Sequence, residues 1–260
     1  MGRTVTAMEL ARKVHPELDT DHLLGLFSCR NIRIGDELVM DPRIKVPSGS
    51  DIFIEEADSF VSRGGFKLEH ALSQFGIDVS GKIVLDAGAS TGGFTDCLLK
   101  HGARAVHSVD VGYNQLDYSL RKDSRVIVHE RQNIMTLSEL DPPADFAVAD
   151  LSFRSISGAA SHIISLVSDG FLIALIKPQF EVPRWEADFD GVVKDSALLR
   201  KVMISVRETL EKDDSGVRKL TVSPIRGHKG NAEFLALLEK GPGLSESEYS
   251  SVLDSLLASL

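Results

Sequence analysis

The sequence predicts an α/β protein: a mostly parallel, doubly wound sheet with an antiparallel hairpin at one edge, preceded by a small α+β module. Three observations carry this. Apolar strand-like runs alternate with helical periods from Gly65 onward. The run "KIVLDAGASTGGFTDCLL" reads as buried strand, glycine-rich turn and helix start. The last two strand-like runs, "VRKLTVSPI" and "AEFLALLE", are joined by "RGHKGN", short enough for a hairpin and too short for a helical crossover.

Taken in order, residues from Ala7 to about Phe27 have a helical pattern broken at Pro16. "NIRIGDELVM" and "DIFIEEA" then alternate like short strands, joined by "DPRIKVPSGS". We expect residues 1–59 to form the small module and 60–260 the α/β domain. In the second part, helix "GFKLEHALSQF" leads to strand "KIVLDAG", helix "GGFTDCLLKHG", strand "RAVHSVDVG", a short helix around "LDYSLRKD" and strand "VIVHE". "DFAVADLSF", helix "GAASHIISLVS", strand "FLIALIKP" and the long helix "SALLRKVMISVRETLEK" follow. Such alternation calls for right-handed crossovers between parallel strands. The tail "SESEYSSVLDSLLASL" has a capping-type start and reads as a docking helix. This layout is that of a Rossmann-like methyltransferase.

Composition narrows the function. The chain has 260 residues, of which 43% are hydrophobic, enough for a core. Its 38 acidic and 29 basic residues give a net charge of -9, which disfavours indiscriminate binding to nucleic acid or anionic membrane, and no DNA partner is expected. Any RNA partner must meet a local basic patch. Cys29 and Cys97 have no metal-like spacing and fit a reducing cytoplasm, and no stretch reads as a leader or membrane span.

Ligands of a doubly wound sheet lie at the carboxyl ends of its strands. That places Asp86, Gly88, Ser90, Thr91, Gly92, Gly93 and Phe94 at a cofactor site. "DAGASTGG" departs from the dinucleotide GxGxxG spacing and favours S-adenosylmethionine over NAD. Asp110 ends the next strand, where a carboxylate can accept from ribose hydroxyls, and Asn133 follows the third strand as a candidate adenine contact. Lys177 and Asp150 close two further strands and should face the same crevice. Lys67 lies early in a helix, and Glu233 opens the final strand. "DPPADF" resembles an amine-methylating signature but precedes its strand, so it is expected to be a turn.

Together, "VSRGGFKL", "DAGASTGGFTDCLL", "VDVGYNQL", "ADLSFRSI", "IKPQFE", "GVVKD" and "GNAEFL" resemble the TlyA family of ribosomal RNA methyltransferases. That family's catalytic domain is similar to the FtsJ/RrmJ ribose 2′-O-methyltransferases. The resemblance implies methyl transfer from S-adenosylmethionine to a ribose 2′-hydroxyl of ribosomal RNA, with cytidine as acceptor. It also implies a tetrad of Lys67, Asp150, Lys177 and Glu233, with Lys177 as general base, Lys67 disfavouring its charge, and no metal. The family's hemolysin label would imply a membrane-active protein, yet no basic amphipathic helix is evident. A relative that binds RNA or the ribosome without turnover is the other competing reading.

The first 59 residues resemble a degenerate S-four RNA-binding fold, but they lack its arginine-leucine-aspartate opening, and acidic residues outnumber basic ones before Phe60. Arg30, Arg33, Arg43 and Lys45 are the candidate phosphate contacts there. Arg63, beside Lys67, has the stronger claim. After Glu181 the chain reads "VPRWE" in place of the glycine-arginine pair the family implies, and Trp185 is a candidate either to stack on a base or to anchor this loop against the domain.

Overall fold

The computed structural model describes residues 4–28, 32–35, 37–54, 60–152, 155–182, 191–193 and 195–260. The first part holds β1 (Thr4–Thr6), α1 (Ala7–Val14), α2 (Thr20–Ser28), β2 (Ile32–Ile34), β3 (Glu37–Leu38), β4 (Lys45–Pro47) and β5 (Ile52–Ile54). α1 starts at a reciprocal cap, in which Glu9 N donates to Thr6 Oγ1 and Thr6 N to Glu9 Oε2. The strands form two small antiparallel sheets, β1–β4 and β3–β2–β5. The sequence reading missed β1 and took the β4 segment for a plain connection. Each strand is only three residues long, too short for alternation to show, and their pairing is non-local.

The second part holds α3 (Gly64–Phe75), β6 (Ile83–Ala87), α4 (Gly93–Lys100), β7 (Ala105–Asp110), α5 (Tyr118–Lys122), β8 (Val126–Glu130), β9 (Phe146–Ala149), α6 (Ala160–Ser165), β10 (Phe171–Ile176), α7 (Pro178–Glu181), α8 (Ser196–Lys212), β11 (Ser215–Val222), β12 (Phe234–Lys240) and α9 (Glu246–Leu257). Seven strands form one sheet in the order β11-β12-β10-β9-β6-β7-β8. All of its pairings are parallel except those of β12, which runs antiparallel to both β10 and β11. The expected hairpin is thus present, and its second strand sits inside the sheet rather than at the edge. The Asp-Pro-Pro segment precedes β9 as a turn, as its position in the sequence requires.

Side chains alternate across this sheet. Val84, Phe146, Val148, Ile173 and Leu235 share one core with Leu68, Leu72 and Leu98 of α3 and α4. Leu85, Ala147, Leu172, Phe234 and Leu238 share the other with Ile163, Met203 and Tyr249 of α6, α8 and α9. Burial on both faces explains why the central strands are nearly continuous apolar runs. Chain order reverses between β6 and β9, and a crevice opens at their carboxyl ends.

Candidate active site

Three strand ends are laced together at the crevice. Gly88 N and Ala89 N donate to Val109 O at 2.8 and 3.2 Å, and Asp150 N donates to Ala87 O at 3.1 Å. Gly88 has φ +86°, and a Cβ there would stand 2.6 Å from Asp150 O. Only glycine lets the two backbones approach this closely. Asp110 takes Ser90 N on one oxygen at 2.8 Å and Gly112 N on the other at 2.7 Å. Each oxygen keeps a lone pair for a further donor. The adjoining cavity of about 510 Å³ is lined by Gly88, Ser90, Asp110, Gln132, Asn133 and Leu151, among others. Its size is that of a small-molecule site, and its glycine floor and carboxylate wall fit a nucleoside-bearing cofactor. Asn133 Oδ1 accepts from Met135 N at 3.0 Å, so this residue also caps the turn that follows β8.

Asp86 does not line that cavity. Its side chain is fully buried and accepts from Thr95 Oγ1 at 2.6 Å, and Thr95 Oγ1 lies 2.7 Å from Ser108 Oγ. Burial pushes its carboxyl up to about 7, against the opposing hydrogen bond from Thr95. This network fastens β6 to α4 and β7 beneath the glycine turn. Gly93 serves a related purpose. A Cβ there would lie 2.9 Å from Gly65 N and 3.1 Å from Gly64 Cα. The paired glycines of "SRGGFK" and "STGG" therefore let the first turns of α3 and α4 touch, which carries Lys67 to the rim of the crevice.

Four charged side chains meet there as two pairs. Lys67 Nζ lies 2.6 Å from Glu233 Oε2, with the side chains 12% and 3% exposed. Lys177 Nζ forms an ion pair with Asp150 Oδ1 and lies 3.3 Å from Ser152 Oγ. Asp150 borders the first cavity and a second of about 210 Å³ that also holds Arg63, Lys67, Thr91 and Phe94. Arg63 and Lys67 in turn border a third, of about 370 Å³, with Lys177, Phe180, Lys229 and Glu233. The two pairs thus stand between a cofactor-sized cavity and a separate one that charged side chains border.

Residues 60–240 match the protein-family profile described as FtsJ-like methyltransferase. The chain belongs to that family. Hemolysin A of Brachyspira hyodysenteriae is 42% identical over 198 residues, 74% of this chain and 82% of the relative. The 16S/23S rRNA (cytidine-2′-O)-methyltransferase TlyA of Mycobacterium tuberculosis is 41% identical over 183 residues, 69% of this chain and 68% of its own. A solved Streptococcus thermophilus protein bearing a hemolysin name superposes with TM-score 0.72 at 33% identity, covering 100% of this chain and 96% of that one.

In this FtsJ-like methyltransferase, the methyl donor of the family is S-adenosylmethionine, and the first cavity is where these residues could hold it. Of the candidate RNA contacts, Arg63 borders the second and third cavities. Arg33 lies on β2 and Lys45 on β4, and Arg43 Nε donates to Asp41 at 2.9 Å. None of these three lines a cavity described above. Arg30 and Trp185 fall outside the described residues, as does most of the departing "VPRWE" stretch.

Sequence reasoning missed two anchors. Glu181 accepts from Ser155 Oγ at 2.5 Å and Ile156 N at 2.9 Å, tying the segment after β9 to the helix after Lys177. Its burial raises its pKa. Asn231, itself buried, accepts from Val193 N and donates to Gly191 O, both at 3.0 Å. The motif pairs "ADLSFRSI" with "IKPQFE" and "GVVKD" with "GNAEFL" were the available signals, but a motif does not reveal which other motif it touches.

Proposed function

We propose that this methyltransferase transfers a methyl group to a ribose 2′-hydroxyl of ribosomal RNA, with cytidine as the acceptor. The observation that carries this reading is the double lysine–carboxylate arrangement between the cofactor-sized cavity and the third cavity. Relatives named as rRNA (cytidine-2′-O)-methyltransferases support the acceptor.

S-adenosylmethionine supplies a methyl on a sulfonium already activated for displacement. The chain's own residues must therefore position the hydroxyl and take its proton. Lys177, at the end of β10, is the base, acting once its amine is neutral. Asp150, its ion-pair partner, orients the amine and balances the positive charge that Lys177 gains with the hydroxyl proton. Lys67 and Glu233 hold the opposite wall and orient the hydroxyl. Fixing the acceptor in line is worth on the order of 7 to 11 kcal/mol. Asp110 and Asn133 serve the ribose and base of the cofactor, Gly88, Ser90, Thr91 and Phe94 shape its turn, and Asp86, Gly92 and Gly93 keep that turn in place. Residues 60–260 are the catalytic unit and 1–59 an RNA-contacting module in which Arg33 touches phosphate. Such an enzyme works in the cytoplasm, where ribosomes are assembled. Among the described residues, no helix is long and apolar enough to cross a membrane.

The test is transfer of radiolabelled methyl to ribosomal subunits that lack the modification. Wild type should label RNA, and Lys177→Ala should lower the single-turnover rate by about 10²- to 10⁴-fold while binding S-adenosylmethionine normally. Normal cofactor binding without label from wild type would favour the non-catalytic reading.

A further inference from the structure

The third cavity has a cation that the tetrad does not use. Lys229 sits at the tip of the connection between β11 and β12, exposed, and lines this cavity with Arg63, Lys67 and Lys177. Among the described residues it has no ion-pair partner, whereas Lys67 and Lys177 are each held by a carboxylate.

Its backbone conformation is unusual. Lys229 has φ +58° and ψ +16°, in the left-handed region that lysine seldom adopts. Strain of this kind persists only where surrounding structure imposes it, and such positions concentrate at functional sites. The surroundings here are specific. Gly227 N donates to Asn231 O at 2.8 Å, and Gly230 N to Gly227 O at 3.0 Å, closing the loop on itself. A side chain at Gly227 would collide with the Glu233 carboxylate, so the loop rests directly on the tetrad. Asn231 fastens its far end to Gly191 and Val193. The chain thus holds a long cation, without an ion-pair partner among the described residues, in a strained conformation at the cavity opposite the cofactor.

We infer that Lys229 binds a phosphodiester of the substrate RNA next to the acceptor ribose, making the β11–β12 loop part of the RNA-binding surface. A chain with net charge -9 gains little general attraction for RNA, so individual cations at the cavity mouth must supply it locally. A phosphate contact positions the strand and reads no base. The loss should therefore fall on RNA binding, equally for all sequences, and spare the methyl-transfer step.

The inference rests on the RNA-methyltransferase reading, and the test separates the two. Binding and methylation of an rRNA fragment are measured across a salt series for wild type, Lys229→Ala, Lys229→Arg and Lys229→Glu, with S-adenosylmethionine affinity measured alongside. Lys229→Ala should raise the Kd and KM for RNA several-fold and reduce the log–log salt slope of binding by about 1. Cofactor Kd and single-turnover rate at saturating RNA should match wild type, Lys229→Arg should restore binding, and Lys229→Glu should weaken it further. Unchanged RNA affinity and salt slope in Lys229→Ala with an active wild type would overturn the inference alone. So would loss of rate at saturating RNA with normal KM, which would make Lys229 a catalytic group. A wild type that methylates no RNA would overturn the reading beneath it.

Discussion

Removing the Glu233 carboxylate should leave the Lys67 ammonium stranded. The pair lies at 2.6 Å with the lysine 12% and the glutamate 3% exposed. At an effective dielectric of about 20, two unit charges at that distance attract by roughly 6 kcal/mol before desolvation is counted. Desolvation offsets much of this, so the intact pair adds little net stability, but breaking it leaves a charge with poor solvation at a cost of about 3 to 5 kcal/mol. Lys67 keeps some contact with the cavity, which favours the lower end. With a shift of about 2 to 4 °C per kcal/mol for a chain of this size, Glu233→Ala should melt roughly 6 to 12 °C below wild type by differential scanning calorimetry. The double variant Lys67→Met, Glu233→Leu, which removes both charges, should recover most of that loss while remaining inactive in methyl transfer. A single variant within about 2 °C of wild type would mean that water reaches Lys67 freely. A double variant as unstable as the single would mean that the loss is one of shape rather than of charge.

Gly88→Ala should raise the Kd for S-adenosylmethionine at least tenfold by calorimetry, because φ +86° disfavours any side chain and its methyl would press on Asp150 O; unchanged affinity would remove Gly88 from the cofactor floor. Asp86 should titrate near pH 7 in carbon-detected NMR of the folded protein, against about 4 unfolded. Its folded pKa is the higher one, so its contribution to stability is complete below about pH 4 and is lost as pH rises through 7, on the order of 4 kcal/mol in all. A midpoint near 4 in the folded protein would contradict the burial argument.

Much of the fold was legible because its cause is local or periodic. α8 occupies the whole of "SALLRKVMISVRETLEK", since Asp195 caps it by accepting from Ala197 N and its apolar positions recur at helical spacing. The Ser245 and Glu248 reciprocal cap of α9 was readable for the same reason. The placement of Asp110, Asp150 and Lys177 at the ends of β7, β9 and β10 was legible through the rule that parallel strands present their carboxyl ends to ligand. The same rule misplaced Asp86, because it gives a strand position and says nothing of burial. Gly93, which it gave to the cofactor, lines the second cavity and also leaves room for α3, a packing role that a strand-end rule does not reveal. Pairings distant in sequence were hidden altogether. β1 meets β4 across some forty residues and Asn231 meets Gly191 across a similar span, and neither end carries a periodic mark of the other. Arg33 and Lys45 were chosen as cations without knowledge of where they point, while Lys229 was passed over because an exposed lysine between glycines reads as an ordinary loop.

The most direct measurement is the chemical identity of the product. Ribosomal RNA methylated in vitro with isotopically labelled S-adenosylmethionine would be digested to nucleosides and resolved by mass spectrometry. The account predicts label on the ribose of cytidine, as 2′-O-methylcytidine, from wild type and none from Lys177→Ala. Label on a base carbon or amine, or equal labelling by the two proteins, would contradict it.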